Sequence, residues 1–142
     1  MKGLLGILSI LLLGCSSGVN RSNVSFKTLS SGQNSSIENK EYLLIEDNEA
    51  YIEVIEKLNI DESDFNNLLN VDFKSNNVCI LFLGQRNTGG YAIEVDYLIK
   101  KQKTLYIKTK EISPEKHSNV ITVITNPYCI ITIPKIQSIV LK

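Results

Sequence analysis

The sequence predicts an α+β fold: a mainly antiparallel β-sheet, curled or closed toward a barrel or sandwich, carrying one or two short helices. Three features lead there. Apolar residues recur at helical spacing in one region, with Tyr51, Val54, Ile55 and Leu58 followed by Phe65, Leu68 and Leu69. Beyond Asn77 the period becomes that of strands, and VCILFL (Val78 to Leu83) is apolar without interruption, as a central strand covered on both faces would be. The later runs YAIEVDYLI and TLYIKTKEI alternate apolar with polar positions, the pattern of strands buried on one side.

In chain order, Met1-Lys2 is a short basic start, Gly3 to Leu13 is apolar, and LLGC ends the run with Gly14 directly before Cys15. The run is shorter than the ~20 apolar residues a spanning helix needs, so residues 1–14 read as a cleaved signal. Leu-x-Gly-Cys resembles the bacterial lipobox, which implies diacylation of Cys15 and a mature chain held on a membrane, facing the periplasm or the cell surface. Residues 15–23 have the Ser, Asn and Gly content of a flexible tether, and 24–142 is expected to be one domain.

Val24, Phe26 and Thr28 suggest a short strand, followed by a polar loop, SSGQNSS. YLLIE (Tyr42 to Glu46) reads as a buried strand. Asp47 caps a helix over NEAYIEVIEKL, and Ser63 or Asp61 caps a second around ESDFNNLL. The strand YAIEVDYLI places Tyr91, Ile93, Val95, Tyr97 and Ile99 on one face, and Lys100 to Lys103 form the turn into TLYIKTKEI. VITVIT, YCIITI and SIVL complete the strands. Cys79 and Cys129 lie within apolar runs and read as two buried thiols, with a disulfide between neighbouring strands the alternative.

Fifteen basic and fifteen acidic residues give a formal net charge of 0. Without a basic excess, nucleic acid is not an expected partner, and the lipid is the expected membrane attachment. Catalytic patterns are missing from the sequence. His117 is the one histidine and lies in a polar segment, no Ser or Cys occupies a glycine-flanked nucleophile turn, and no ligand spacing suits a metal. GQRNTGG matches neither a P-loop nor a dinucleotide fingerprint. No enzyme activity, metal or cofactor is expected.

In GQRNTGGYAIEV, the glycines can serve a hairpin turn, whereas Arg86 and Tyr91 are side chains favoured at protein interfaces. Together with VDF (Val71 to Phe73) and NPYCIITIPK (Asn126 to Lys135), this stretch resembles the PrcB C-terminal domain family, found in a lipoprotein accessory subunit of a bacterial surface serine-protease complex. The family pattern is a strand leading into Gly-x-Arg-Pro-Thr-Gly-Gly-Tyr, with a later Pro-Tyr before an apolar run closed by Pro-Lys. It is matched at Gly84, Arg86, Thr88, Gly89, Gly90, Tyr91, Pro127, Tyr128, Pro134 and Lys135, with Asn87 in place of the Pro. The resemblance implies a non-catalytic protein that supports the maturation or stability of a protease, with a contact surface over Arg86, Asn87, Thr88, Gly89, Gly90 and Tyr91, joined by Pro127 and Tyr128 where the motifs converge. NTGGY is also similar to a loop of chagasin-type cysteine-protease inhibitors, although this chain has no Trp for their third loop. A purely structural envelope lipoprotein is the remaining alternative.

Overall fold

The computed structural model describes residues 21–142 apart from 59 and 61. The signal, Cys15 and Asp61 lie outside the described residues. The strands are β1 (Arg21–Val24), β2 (Lys27–Gly32), β3 (Glu41–Ile45), β4 (Asn76–Phe82), β5 (Ala92–Lys101), β6 (Thr104–Ile112), β7 (Tyr128–Pro134) and β8 (Ser138–Leu141). Two helices, α1 (Asn48–Lys57) and α2 (Glu62–Leu68), lie between β3 and β4. Among the described residues the strands form two four-stranded sheets, ordered β1-β5-β6-β8 and β2-β7-β4-β3, in which the β6–β8 pair is parallel and the other strand pairs antiparallel. The fold is α+β and sandwich-like, with no closed barrel among the described residues.

Strand β4 organises the layers. Val78, Ile80 and Phe82 join Tyr51, Ile55, Leu58 and Leu68 of the helical region in one core. Cys79, Leu81 and Leu83 join Ile93, Leu98, Leu105 and Ile107 in a second core. The neighbouring strand β7 divides in the same way, sending Tyr128 and Ile130 to the helical core and Cys129, Ile131 and Ile133 to the inter-sheet core. Three layers result: helices, the β2-β7-β4-β3 sheet, and the β1-β5-β6-β8 sheet. The unbroken apolar run VCILFL is what such a middle strand requires.

Helix α1 starts where the sequence places it, because the Asp47 side chain accepts a hydrogen bond from the Ala50 N–H at 2.9 Å. Its buried side is anchored by Tyr51 and Ile55, and the Tyr51 ring meets Phe73 at 5.4 Å between centroids. In α2 only part of the expected face is covered: Leu68 is buried while Phe65 and Leu69 are exposed. Ser63 lies inside that helix and so cannot be its N-cap.

Several sequence expectations are corrected by pairing. The strand begins at Arg21, within the expected tether, because residues 21–24 pair with β5. Ser30 to Gly32, expected in a loop, extend β2 along β7. Strand β3 is an edge strand, leaving Tyr42 and Leu43 exposed rather than buried. A register shift between Val95 and Tyr97 inserts Asp96 as a bulge, so Tyr97 turns outward and Leu98 inward. VITVIT is not a strand: Thr125 and Asn126 make isolated bridges, and the residues before them are irregular.

Cys79 and Cys129 are free, buried thiols facing the inter-sheet core. Burial, followed by the proximity of Cys129, pushes the Cys79 thiol up to about 12. Burial and then Glu94 push Cys129 up to about 11, against a hydrogen bond with Thr28 that favours the thiolate. Each thiol keeps its proton in the folded chain at pH values where the unfolded chain, at an ordinary ~8.5, has lost it. Their contribution to stability is therefore complete below that value and is lost as pH climbs toward 11. Thermal melts should show a midpoint that falls above about pH 9, with a shallower fall in Cys79→Ala/Cys129→Ala. A thiol reagent at neutral pH should label neither cysteine until denaturant unfolds the chain. Asp47→Ala should lower the unfolding free energy by ~1 kcal/mol in a urea titration.

Candidate protein-binding site

The stretch from Gly84 to Tyr91 is not a hairpin turn. Strand β4 belongs to the middle sheet and β5 to the outer one, so residues 83–91 cross between layers. Residues 113–127 make the return crossing from β6 to β7. Backbone polar groups in such crossings need partners, and here the two crossings supply much of what the other lacks. Arg86 and Thr125 exchange backbone hydrogen bonds of 2.8 and 2.9 Å. Thr125 Oγ1 donates to the Thr88 carbonyl at 3.0 Å, and the Gly89 N–H donates to the Ile121 carbonyl at 3.1 Å.

A third connection, from β2 to β3, closes the cluster. Asn126 N–H donates to the Gln33 carbonyl at 2.7 Å, and its side-chain amide donates to the Ile37 carbonyl at 3.0 Å. Gln33 Nε2 in turn donates to the Tyr91 carbonyl at 2.8 Å. Gly84, at φ 83°, packs so closely on this connection that a Cβ would lie 2.9 Å from the Glu38 carbonyl oxygen and from the Lys40 nitrogen. Only a residue without a Cβ allows this close backbone approach. Gly90 adopts φ 87° against Pro114, whereas Gly89 has open space where a Cβ would stand.

Arg86 and Tyr91 are held together in this frame. The guanidinium lies 5.6 Å from the Tyr91 ring centroid, donates to the Gln85 carbonyl at 2.9 Å, and approaches Glu111 at 3.8 Å. Glu111 also pairs with Lys40. Side chains restrained in advance lose less entropy when a partner arrives.

Of the eight residues read as a contact surface, Arg86, Thr88, Gly89 and Tyr91 are half-buried, and Asn87 and Gly90 are exposed. The motifs do converge, but Pro127 and Tyr128 lie beneath the cluster. The Pro127 carbonyl accepts from the Leu83 N–H at 2.9 Å, and Tyr128 is buried with its ring against Gly32. These two support the loops and present no free surface.

Sequence reasoning missed the residues beside the loop. Ile121 is 76% exposed and Ile124 62%, with Val120 and Val123 also open to solvent. Together with Gly89, Gly90, Gln33 and Asn34, Val120, Ile121 and Val123 line a groove of about 490 Å³. A signal was present in VITVIT itself. Its period of three suits neither the two-residue alternation of a half-buried strand nor a helical stripe.

Residues 78–134 match the family model described as PrcB C-terminal. The match runs from β4 to β7 and takes in both layer crossings, and it agrees with the resemblance carried by Gly84 to Tyr91 and Pro127 to Pro134. No curated protein and no solved structure matches the chain.

Gly89 should behave differently from Gly84 when replaced. Gly84→Ala should destabilise by ~2 kcal/mol or more, since it combines positive φ with backbone overlap. Gly89→Ala should stay within ~0.5 kcal/mol of the parent. Denaturant titrations of the two variants check both expectations.

Proposed function

We propose that this chain, which carries the PrcB C-terminal match over residues 78–134, is a lipid-anchored, non-catalytic envelope protein that binds and supports a secreted protease. The family match supports an accessory role with a protein partner. Cys15 is the proposed acylation site, on the lipobox-like LLGC. The contact is proposed to be the groove between Gly89-Gly90 and the segment from Val120 to Val123, extended by exposed Ile124 and by the Arg86–Tyr91 pair, whose Tyr91 follows Gly90 in the chain.

The observation that carries this reading is the exposure of Ile121 and Ile124 on a loop tied by hydrogen bonds to the family motif. Clustered apolar exposure rimmed by polar groups is characteristic of protein-binding surfaces. An Arg and a Tyr at its margin are the residue types that dominate interface energetics. A rigid frame beneath the groove also limits the ordering cost of binding.

A crosslinking capture from the native envelope tests the proposal, with wild type run beside Tyr91→Ala and Ile121→Ser/Ile124→Ser. Circular dichroism should report all three as folded, since Ile121 and Ile124 are exposed and Tyr91 packs only at the margin of the inter-sheet core. The wild type should retain a secreted protease, and each variant should bind it roughly 30-fold more weakly, the equivalent of ~2 kcal/mol. Equal capture by folded variants would reject the groove as the contact. A papain-like protease assay separates the chagasin-type reading: stoichiometric loss of activity would make the protein an inhibitor, and unchanged activity leaves the accessory role.

A further inference from the structure

We propose that the outer face of the β1-β5-β6-β8 sheet is a docking surface for anionic lipid headgroups. The formal net charge of 0 conceals a separation of charge along the chain. Residues 38–72, which hold β3 and both helices, contain eleven acids (Glu38, Glu41, Glu46, Asp47, Glu49, Glu53, Glu56, Asp61, Glu62, Asp64 and Asp72) against Lys40 and Lys57. Residues 97–110 contain Lys100, Lys101, Lys103, Lys108 and Lys110 and no acid, and residues 135–142 add Lys135 and Lys142, again without an acid. Lys101, Lys108 and Lys142 stand on the solvent side of the β1-β5-β6-β8 sheet, which the middle sheet separates from the helical layer, whereas Lys100 is in register with buried Leu105 and Lys135 donates to the Glu46 carbonyl.

Strand register identifies the outward side chains. Leu98, Leu105 and Ile107 are buried toward the middle sheet. Tyr97, opposite Lys108, and Lys101, opposite Thr104, therefore project from the other face, as do Tyr106 and its neighbour Val140. The Tyr106 ring lies between two ammonium groups, Lys101 at 4.9 Å and Lys142 at 4.7 Å. Tyr97 is 47% exposed and Val140 40%. Amphipathic tyrosine rings among lysines with long apolar stems suit the headgroup zone, where ring and stem meet the acyl boundary and the charge meets phosphate. Glu94 and Asp96 are the acids of this strand pair near the face, and they stand toward the loop-cluster end, with Glu94 opposite Lys110.

An anionic surface would attract this face and repel the helical layer, so the same charge separation sets orientation. The chain also enters the sheet at this side, with Arg21 paired to Lys101. On the lipid-anchored reading Cys15 is six residues from Arg21, a reach of no more than about 22 Å. The docking proposal itself rests on charge and register, and its test removes the anchor.

The full chain with Cys15→Ser is partitioned onto phosphatidylcholine vesicles with and without phosphatidylglycerol. The ratio of the two partition constants cancels apolar insertion common to both. At low ionic strength the ratio should be roughly 100-fold, as expected when about three lysines approach the surface, and it should collapse toward one near ~1 M salt, where charges are screened within ~3 Å. Lys103→Glu/Lys108→Glu/Lys142→Glu should abolish it, while Lys74→Glu/Lys116→Glu, off this face, should leave it within about threefold after allowance for net charge. If the triple reversal does not fold, Lys103→Gln/Lys108→Gln is used and should lower the ratio by more than tenfold. A wild-type ratio near one at low salt, or equal loss in face and control variants, would overturn the proposal. Retention on soluble polyphosphate without retention on vesicles would likewise overturn it, in favour of a soluble acidic partner.

Discussion

The whole arrangement depends on burying β4 on both faces. A strand with Val78, Ile80 and Phe82 on one side and Cys79, Leu81 and Leu83 on the other cannot meet water on either. At ~25 cal/mol per Å² of apolar surface removed from water, each face needs a covering layer. Helices α1 and α2 supply one cover and the β1-β5-β6-β8 sheet the other. Strand β7 shares both cores because it lies beside β4.

That burial has a topological consequence. The chain must leave the middle sheet after β4, pair β5 with β6 in the outer sheet, and return for β7. Both crossings occur at the same end, since β5 begins and β6 ends there with Ala92 opposite Ile112. Their backbones are polar and only partly covered, and they satisfy one another through Arg86–Thr125 and Gly89–Ile121. Joining the crossings in this way leaves the side chains of Ile121 and Ile124 outside any core. A groove beside the family motif is thus produced by the same pairing that holds the loops in place.

The layers also sort charge. Acidic residues cap and solvate the helices, as with Asp47 and Glu53, while the outer sheet carries lysines on its solvent face. Fields of opposite sign on opposite faces do not appear in a net charge, yet they govern how a molecule turns toward a charged surface. The groove lies at an end of the sandwich and the lysine-rich face on its side, so one contact need not block the other.

The sequence by itself determined the α+β class, helix α1 with its Asp47 cap, and the strands corresponding to β4, β6, β7 and β8. Those elements have strong local periodicity or capping chemistry, which acts between neighbours in the chain. The family resemblance was legible for the same reason, in the contiguous run from Gly84 to Tyr91, which lies within the matched residues 78–134. Only the tertiary structure decided that this run is a layer crossing, that Tyr128 supports it from within, and that VITVIT stays outside both sheets. The bulge that turns Tyr97 outward and the edge position of β3 belong to the same class. Each depends on which distant strand becomes the neighbour, and side-chain direction and burial follow from that pairing rather than from local propensity.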